Sequence, residues 1–153
     1  MPSEPSLAAP IPEADRDELT GLLREFFAAF SSGPDVEARL DRLSRLFVAE
    51  AVITKTCGAQ PVHYDVEQFI APRRQLLTSG RITEFAEWPV SGSWHCFGDI
   101  PHWFGRYAKS WQEDGGELTG AGMKSLQFVR TAAGWRISAA AWDDQRPGLR
   151  LPG

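Results

Sequence analysis

Apolar positions recur about every three to four residues in the first part of this chain and every second residue near its end, the periods of helix and strand. Leu19, Leu22, Leu23, Phe26, Phe27 and Phe30 fall at i, i+3, i+4, i+7, i+8 and i+11, one buried stripe of a helix. Asp15 followed by Glu18 serves as its start signal, and Gly33-Pro34 ends it. A second helix is expected from Asp35, as N-cap, through Val36, Leu40, Leu43 and Phe47. The phase then changes. Phe47 to Thr56 contains Val48, Val52, Ile53, Thr54 and Thr56, which suits a strand, and Val62-His63-Tyr64 suits a short one. Asp65 with Gln68 reads as a capping box opening a third helix through Phe69, Ile70, Leu76 and Leu77, with Gly80 as its stop. Pro72 lies inside that span, so the helix is either kinked there or begins there.

From Arg81 onward the pattern is that of strands. Ile82 to Phe97 predicts one long strand with a bend or bulge at Pro89 and Gly92. Gly98-Asp99 turns it, Ile100 to Trp111 returns, and Gln112 to Glu117 is the next turn. Gly120 to Asp144 predicts two long antiparallel strands joined at Ala132-Ala133-Gly134. In the second arm Trp135, Ile137, Ala139 and Ala141 point one way, with Asp143 continuing that face, while Arg136, Ser138 and Ala140 point the other. Segregated helices followed by a strand meander define an α+β fold. A strongly curved sheet wrapped around the helices accounts for the bends at Pro89 and Gly92.

The whole is expected to form a single domain over residues 13–145, with loose tails at 1–12 and 146–153. The composition is 42% hydrophobic and 24% charged, ordinary for a globular chain of 153 residues. The net charge of −4 leaves no basic face for nucleic acid. No apolar run approaches the ~18 residues of a membrane span. The first residues carry neither a basic region nor an apolar core of a signal peptide. Two cysteines, Cys57 and Cys96, make reduced thiols in a cytoplasm the expected state rather than a disulfide framework.

The element order resembles the nuclear transport factor 2-like superfamily, the cone-shaped α+β fold of ketosteroid isomerase, scytalone dehydratase, limonene epoxide hydrolase and the SnoaL-type polyketide cyclases. The resemblance spans roughly residues 14–145. It rests on Phe97-Gly98-Asp99-Ile100-Pro101-His102, on Tyr107, on Gly122-Met123-Lys124-Ser125-Leu126-Gln127-Phe128, and on Gly134-Trp135-Arg136-Ile137 with Trp142-Asp143. It is nearest to a bacterial branch outside those named enzymes. It implies three N-terminal helices enclosed by a curved antiparallel sheet, a small hydrophobic ligand in the cone, and pairing of two copies through the sheet. The enzymes' catalytic sets do not carry over. The first helix has Phe26, Phe27 and Phe30 where an isomerase would supply a Tyr, and the first strand offers Glu50 rather than an Asp. No Arg-x-Asp falls on the pocket strands to match the hydrolase set, and the His and Tyr residues do not follow the dehydratase spacing.

Candidate chemistry therefore comes from the residues themselves. His95 and His102 flank the Gly98-Asp99 turn on adjacent strands. They are either a proton-shuttling pair or two rim histidines. Trp103, Tyr107 and Trp111 recur every four residues and share a strand face with Gly105 and Lys109. Such a face lines a pocket, forms an interface or fills core. Asp143, if it looks into the cone, has its carboxyl pKa raised by desolvation. Lys124 is either a buried electrophile or Schiff-base former, or an exposed or ion-paired lysine. Arg73 and Arg74 suit a solvated helix face. Catalytic candidates are thus His95, His102 and Asp143. Ligand-binding candidates are Trp103, Tyr107, Lys124, Gln127 and Trp142. No Cys/His/Asp cluster suggests a metal, and no cofactor is implied. The reading is an acid–base isomerase, cyclase or dehydratase acting on a hydrophobic carbonyl or cyclic compound; the alternative is a non-catalytic ligand-binding or dimerisation domain. Apolar residues on both strand faces point to a homodimer through the sheet.

Overall fold

The aromatic stripe of the first helix forms the centre of the core. The computed structural model describes residues 11–152. In order they form α1 (Glu13–Ala28), α2 (Val36–Leu46), β1 (Phe47–Lys55), β2 (Val62–Tyr64), α3 (Val66–Thr78), β3 (Ile82–His95), β4 (His102–Glu113), β5 (Gly116–Thr131) and β6 (Gly134–Asp144). Phe26 makes edge-on contacts with Phe27, Phe30 and Phe47 at 5.2–6.4 Å between ring centroids. Phe27 reaches the sheet edge-on to Trp103 at 5.8 Å. Each such buried ring stabilises the fold by roughly 1.5–3 kcal/mol. Of the expected N-terminal tail, residues 1–10 lie outside the described residues. Ile11 is buried in the core and Pro12 occupies the N-cap of α1, so the helix starts two residues before Asp15. At the other end Arg146 and Leu149 exchange backbone hydrogen bonds in a small closed turn.

Both arms of the capping box at α3 are formed. Asp65 accepts from the Gln68 amide, and the Gln68 side chain accepts from the Asp65 amide. The helix starts at Val66 and runs on through Pro72. At α2, by contrast, Asp35 occupies the N-cap without a side-chain capping bond.

The sheet order is β2-β1-β6-β5-β4-β3. The β1–β2, β3–β4, β4–β5 and β5–β6 pairs are antiparallel, whereas β1 and β6 run parallel. Between these two strands the chain passes through β2, α3 and the β3–β5 meander, a crossover long enough for parallel pairing. The β4–β5 turn is tight, with only Asp114 and Gly115, both at positive φ, between the paired Glu113 and Gly116. Register shifts fall at Glu84–Phe85 and at Val90 in β3, next to the expected Pro89 bend, and they curl the sheet around the helices. Trp103 lies over Gly92 and Gly105, where any Cβ would run into the indole. Among the described residues, the sheet thus has a concave face against the helices and an outer face without a helix. No helix among the described residues is long and apolar enough to cross a membrane.

A third register shift decides which acid faces inward. Gln127 pairs with Ala139 and Phe128 with Ile137, which leaves Ser138 as an extra residue in β6. Trp135 and Ile137 are buried against the helices, and after the bulge Ala140 and Trp142 continue that concave face. Ala139, Ala141 and Asp143 consequently lie on the outer face. The expected Trp135–Ile137–Ala139–Ala141–Asp143 face is corrected accordingly, and Asp144 is the acid that turns inward.

Candidate functional site

Between the concave face and α3 lies a cavity of about 350 Å³, within the roughly 300–1,000 Å³ range of small-molecule sites. Phe30, Leu76, Leu77, Ile82, Phe85, Trp111 and Trp142 supply its apolar walls. The polar groups come from five strands and one helix: Lys55, Glu87, Tyr107, Lys109, Glu113, Lys124 and Asp144 from the sheet, and Arg73 from α3, with Arg81 between α3 and β3.

Two glycines build the first polar cluster. Tyr107, Gly122 and Asp144 form one row across β4, β5 and β6. Because Gly122 has no side chain, the Tyr107 ring crosses it and the phenol donates a hydrogen bond to Asp144 Oδ1. A Cβ at Gly122 would stand 2.8 Å from that oxygen and 2.9 Å from Tyr107 Cε1. In the adjacent row Lys109 crosses Gly120 in the same way, where a Cβ would meet Lys109 Cε at 2.7 Å. Lys109 Nζ then lies 3.4 Å from Asp144 Oδ2. Burial, then the hydrogen bond to Asp144, pushes the Tyr107 phenol well above the ordinary tyrosine range, so it stays a donor. Burial and the same carboxylate raise the Cys57 thiol, which therefore stays protonated. Cys57 and Cys96 are both free.

The second cluster is centred on Lys124, which is 5% exposed. Its Nζ lies 3.4 Å from Glu87 Oε2 and stands over the rings of Tyr107 at 4.3 Å and Trp142 at 5.0 Å. The ring faces attract the ammonium. Burial lowers the Lys124 pKa, and Glu87 opposes that shift. The ion pair does not meet hydrogen-bond geometry, and among the described residues Glu87 Oε2 has no hydrogen-bond donor. Lys124 is therefore both buried and ion-paired, which joins the two alternatives left by the sequence.

Arg73 lines the same cavity rather than a solvated helix face. Its guanidinium stacks on Phe69 at 3.8 Å and lies 5.2 Å from the Trp142 ring. One NH group donates to Phe69 O at 2.8 Å. Burial works against its charge.

Of the residues singled out from sequence, Tyr107, Lys124 and Trp142 come together in this cavity. Trp103 lies in the adjoining core, 3% exposed. His95, His102, Gln127 and Asp143 lie on the outer face. His95 and His102 pair directly across β3–β4 with ring centroids 6.4 Å apart. His102 Nε2 is hydrogen-bonded to Ser125 Oγ at 2.8 Å, and burial with the neighbouring His95 lowers the His102 pKa. The Gln127 amide donates to Pro101 O and Phe128 O. Asp143 pairs with Arg146, which holds its carboxyl below the usual range instead of above it, because the acid faces outward and meets a cation. Among the described residues, no group of three or more His, Cys, Asp or Glu side chains is placed to hold a metal ion. Sequence reasoning passed over Arg73, Glu87, Lys109 and Asp144 as site residues. The glycines at 120 and 122, spaced to leave two gaps on one strand face, were the available signal.

A curved six-stranded sheet enclosing three helices over a cavity is the nuclear transport factor 2-like cone fold, and solved structures of that fold superimpose on this chain. A nuclear transport factor 2-like protein with a cystatin-like fold from Novosphingobium aromaticivorans matches with a TM-score of 0.65 and 19% identity, over 86% of this chain and 82% of its own. A nuclear transport factor 2-like superfamily protein from Salmonella enterica matches with a TM-score of 0.65 and 13% identity, over 92% and 97%. The hexachlorocyclohexane dehydrochlorinase LinA-type3 from Novosphingobium barchaimii matches with a TM-score of 0.67 and 13% identity, over 92% and 95%. No protein-family model matches the sequence, and neither does any curated protein.

Proposed function

We propose that the cone binds a small, largely apolar carbonyl or cyclic compound and moves a proton on it. The observation that carries this reading is the convergence of two carboxylates, two amines and a phenol on one apolar-walled cavity: Asp144 held by Tyr107 and Lys109, and Glu87 facing Lys124. Asp144 is the general base. Its carboxylate takes a proton from the carbon beside the substrate carbonyl, and the C–H electron pair moves to the carbonyl oxygen as an enolate. The Lys124 ammonium stabilises that oxygen in surroundings where little water screens it. Asp144 then returns the proton to a carbon of the enolate system, which completes an isomerisation or exchange without consuming another reactant. The dehydrochlorinase of the same fold supports small-molecule chemistry in such a cone.

A ligand-binding domain without turnover is the second reading. It is favoured by the two donors that Asp144 already accepts, since hydrogen bonds to a carboxylate weaken it as a base. Deuterium wash-in from heavy water, followed by NMR on a panel of small cyclic ketones, decides between the two. The enzyme reading expects exchange at the carbon beside the carbonyl, lost in Asp144→Asn. Binding with no exchange of any ketone would leave the second reading. We further propose that a second copy of this chain covers the outer face of the sheet, with His95 and His102 near the seam.

A further inference from the structure

We propose that the ligand of this cavity is a monocarboxylate, seated with its carboxylate on Arg73 and its apolar body toward Phe30, Phe85 and Trp111. The inference rests on the reading of the cone as a small-molecule site and adds the charge of the ligand. Three cations that are not exposed line the cavity, Arg73, Lys109 and Lys124, together with the carboxylates Glu87, Asp144 and Glu113. Lys109 has Asp144 at 3.4 Å and Lys124 has Glu87 at 3.4 Å. Arg73 has no carboxylate within ion-pair distance among the described residues, and its one side-chain hydrogen bond goes to a backbone carbonyl of its own helix. A half-buried guanidinium without a counter-ion is costly, and an anion entering the cavity offsets that cost.

The geometry selects a carboxylate among anions. The guanidinium plane is held by Phe69 on one side, with Trp142 nearby. Its remaining N–H groups form a planar fork that suits two carboxylate oxygens at once. A single negative charge on the ligand suffices to partner the Arg73 guanidinium, since Lys109 and Lys124 already have carboxylates. The exposed Lys55 and Arg81 also line the cavity and favour the approach of an anion.

Calorimetric titration with benzoate, phenylacetate and cyclohexanecarboxylate, each beside its uncharged amide, tests the proposal on the full chain. The carboxylates are expected to bind more tightly than their amides. Arg73→Met is expected to weaken each carboxylate by at least about tenfold, some 1.4 kcal/mol, and to weaken the amides by less. Retained amide binding shows that the variant is folded. Arg73→Lys, which keeps the charge and loses the fork, is expected to fall between the two. Equal affinity for acids and amides, or carboxylate binding indifferent to Arg73→Met, overturns the carboxylate seat and leaves the cavity reading standing. Failure of both acids and amides to bind overturns both.

Discussion

Gly122 decides whether Tyr107 and Asp144 can meet, and the consequence is a phenol that cannot readily ionise in the folded chain. The Tyr107 side chain is fully buried and donates to a carboxylate, so its pKa in the fold lies well above the ordinary 10.0. The raised pKa means that the folded chain keeps a proton which the unfolded chain releases above pH 10. The stability this group contributes is fully present below pH 10 and declines as pH rises beyond it, by up to about 1.4 kcal/mol per pH unit. Denaturant melts across the alkaline range are expected to lose this component of the slope in Tyr107→Phe. An identical alkaline slope in the two proteins would show that the phenol is free to ionise in the fold. None of this was legible from Tyr107 alone, which in sequence is one of three aromatic residues spaced by four. Gly122 opposite it carried the information, but only once the β4–β5 register was known.

At the scale of elements, the sequence speaks most clearly where hydrophobic contrast is strong. The stripe from Leu19 to Phe30 predicts a helix whose apolar face is core, and Leu19, Leu23, Phe26, Phe27 and Phe30 are all buried. Phe26 lies among three other phenylalanine rings. Phe26→Ala is expected to cost about 3–5 kcal/mol in chemical denaturation; a loss below about 1 kcal/mol would mean that the site collapses around the missing ring. Contrast is weakest at Ser138-Ala139-Ala140-Ala141, where four small residues in a row say nothing about which face each one occupies. The bulge at Ser138 falls inside that run. It shifts the phase of the strand by one residue, and a one-residue slip exchanges the faces of everything beyond it. That is why Asp143 is the inward acid by simple alternation and Asp144 is the inward acid in the fold. The parallel β1–β6 pair was illegible for a different reason. The two strands lie far apart in sequence, and no local pattern records their pairing.

For the whole molecule, the outer face of the sheet carries an apolar patch of its own. The helices occupy the concave side, so residues opposite in register to the buried row face away from them. Phe104 is 48% exposed and Val52 47% exposed on that side, flanking Ser125, Ala139 and Ala141. Trp88, paired with Ala108, extends the same face toward β3. Small side chains at its centre, with large apolar ones around them, let a second sheet approach closely. An apolar patch of this kind marks an association surface, and a two-fold pair is the commonest way to cover one. The row of Phe104, Ser125 and Ala141 is uncharged, and the next row on the same face carries Arg106 and Asp143, one charge of each sign. His102 has its pKa lowered by burial and by His95, and withdrawal of the face from water would lower it further. Light scattering at micromolar concentration is therefore expected to give twice the chain mass of 17.0 kDa. Phe104→Glu would bring two like charges into the seam and is expected to return the monomer mass with the fold intact by circular dichroism. A wild-type mass near 17.0 kDa would remove the sheet-to-sheet pair. A dimer indifferent to Phe104→Glu would move the contact to another surface.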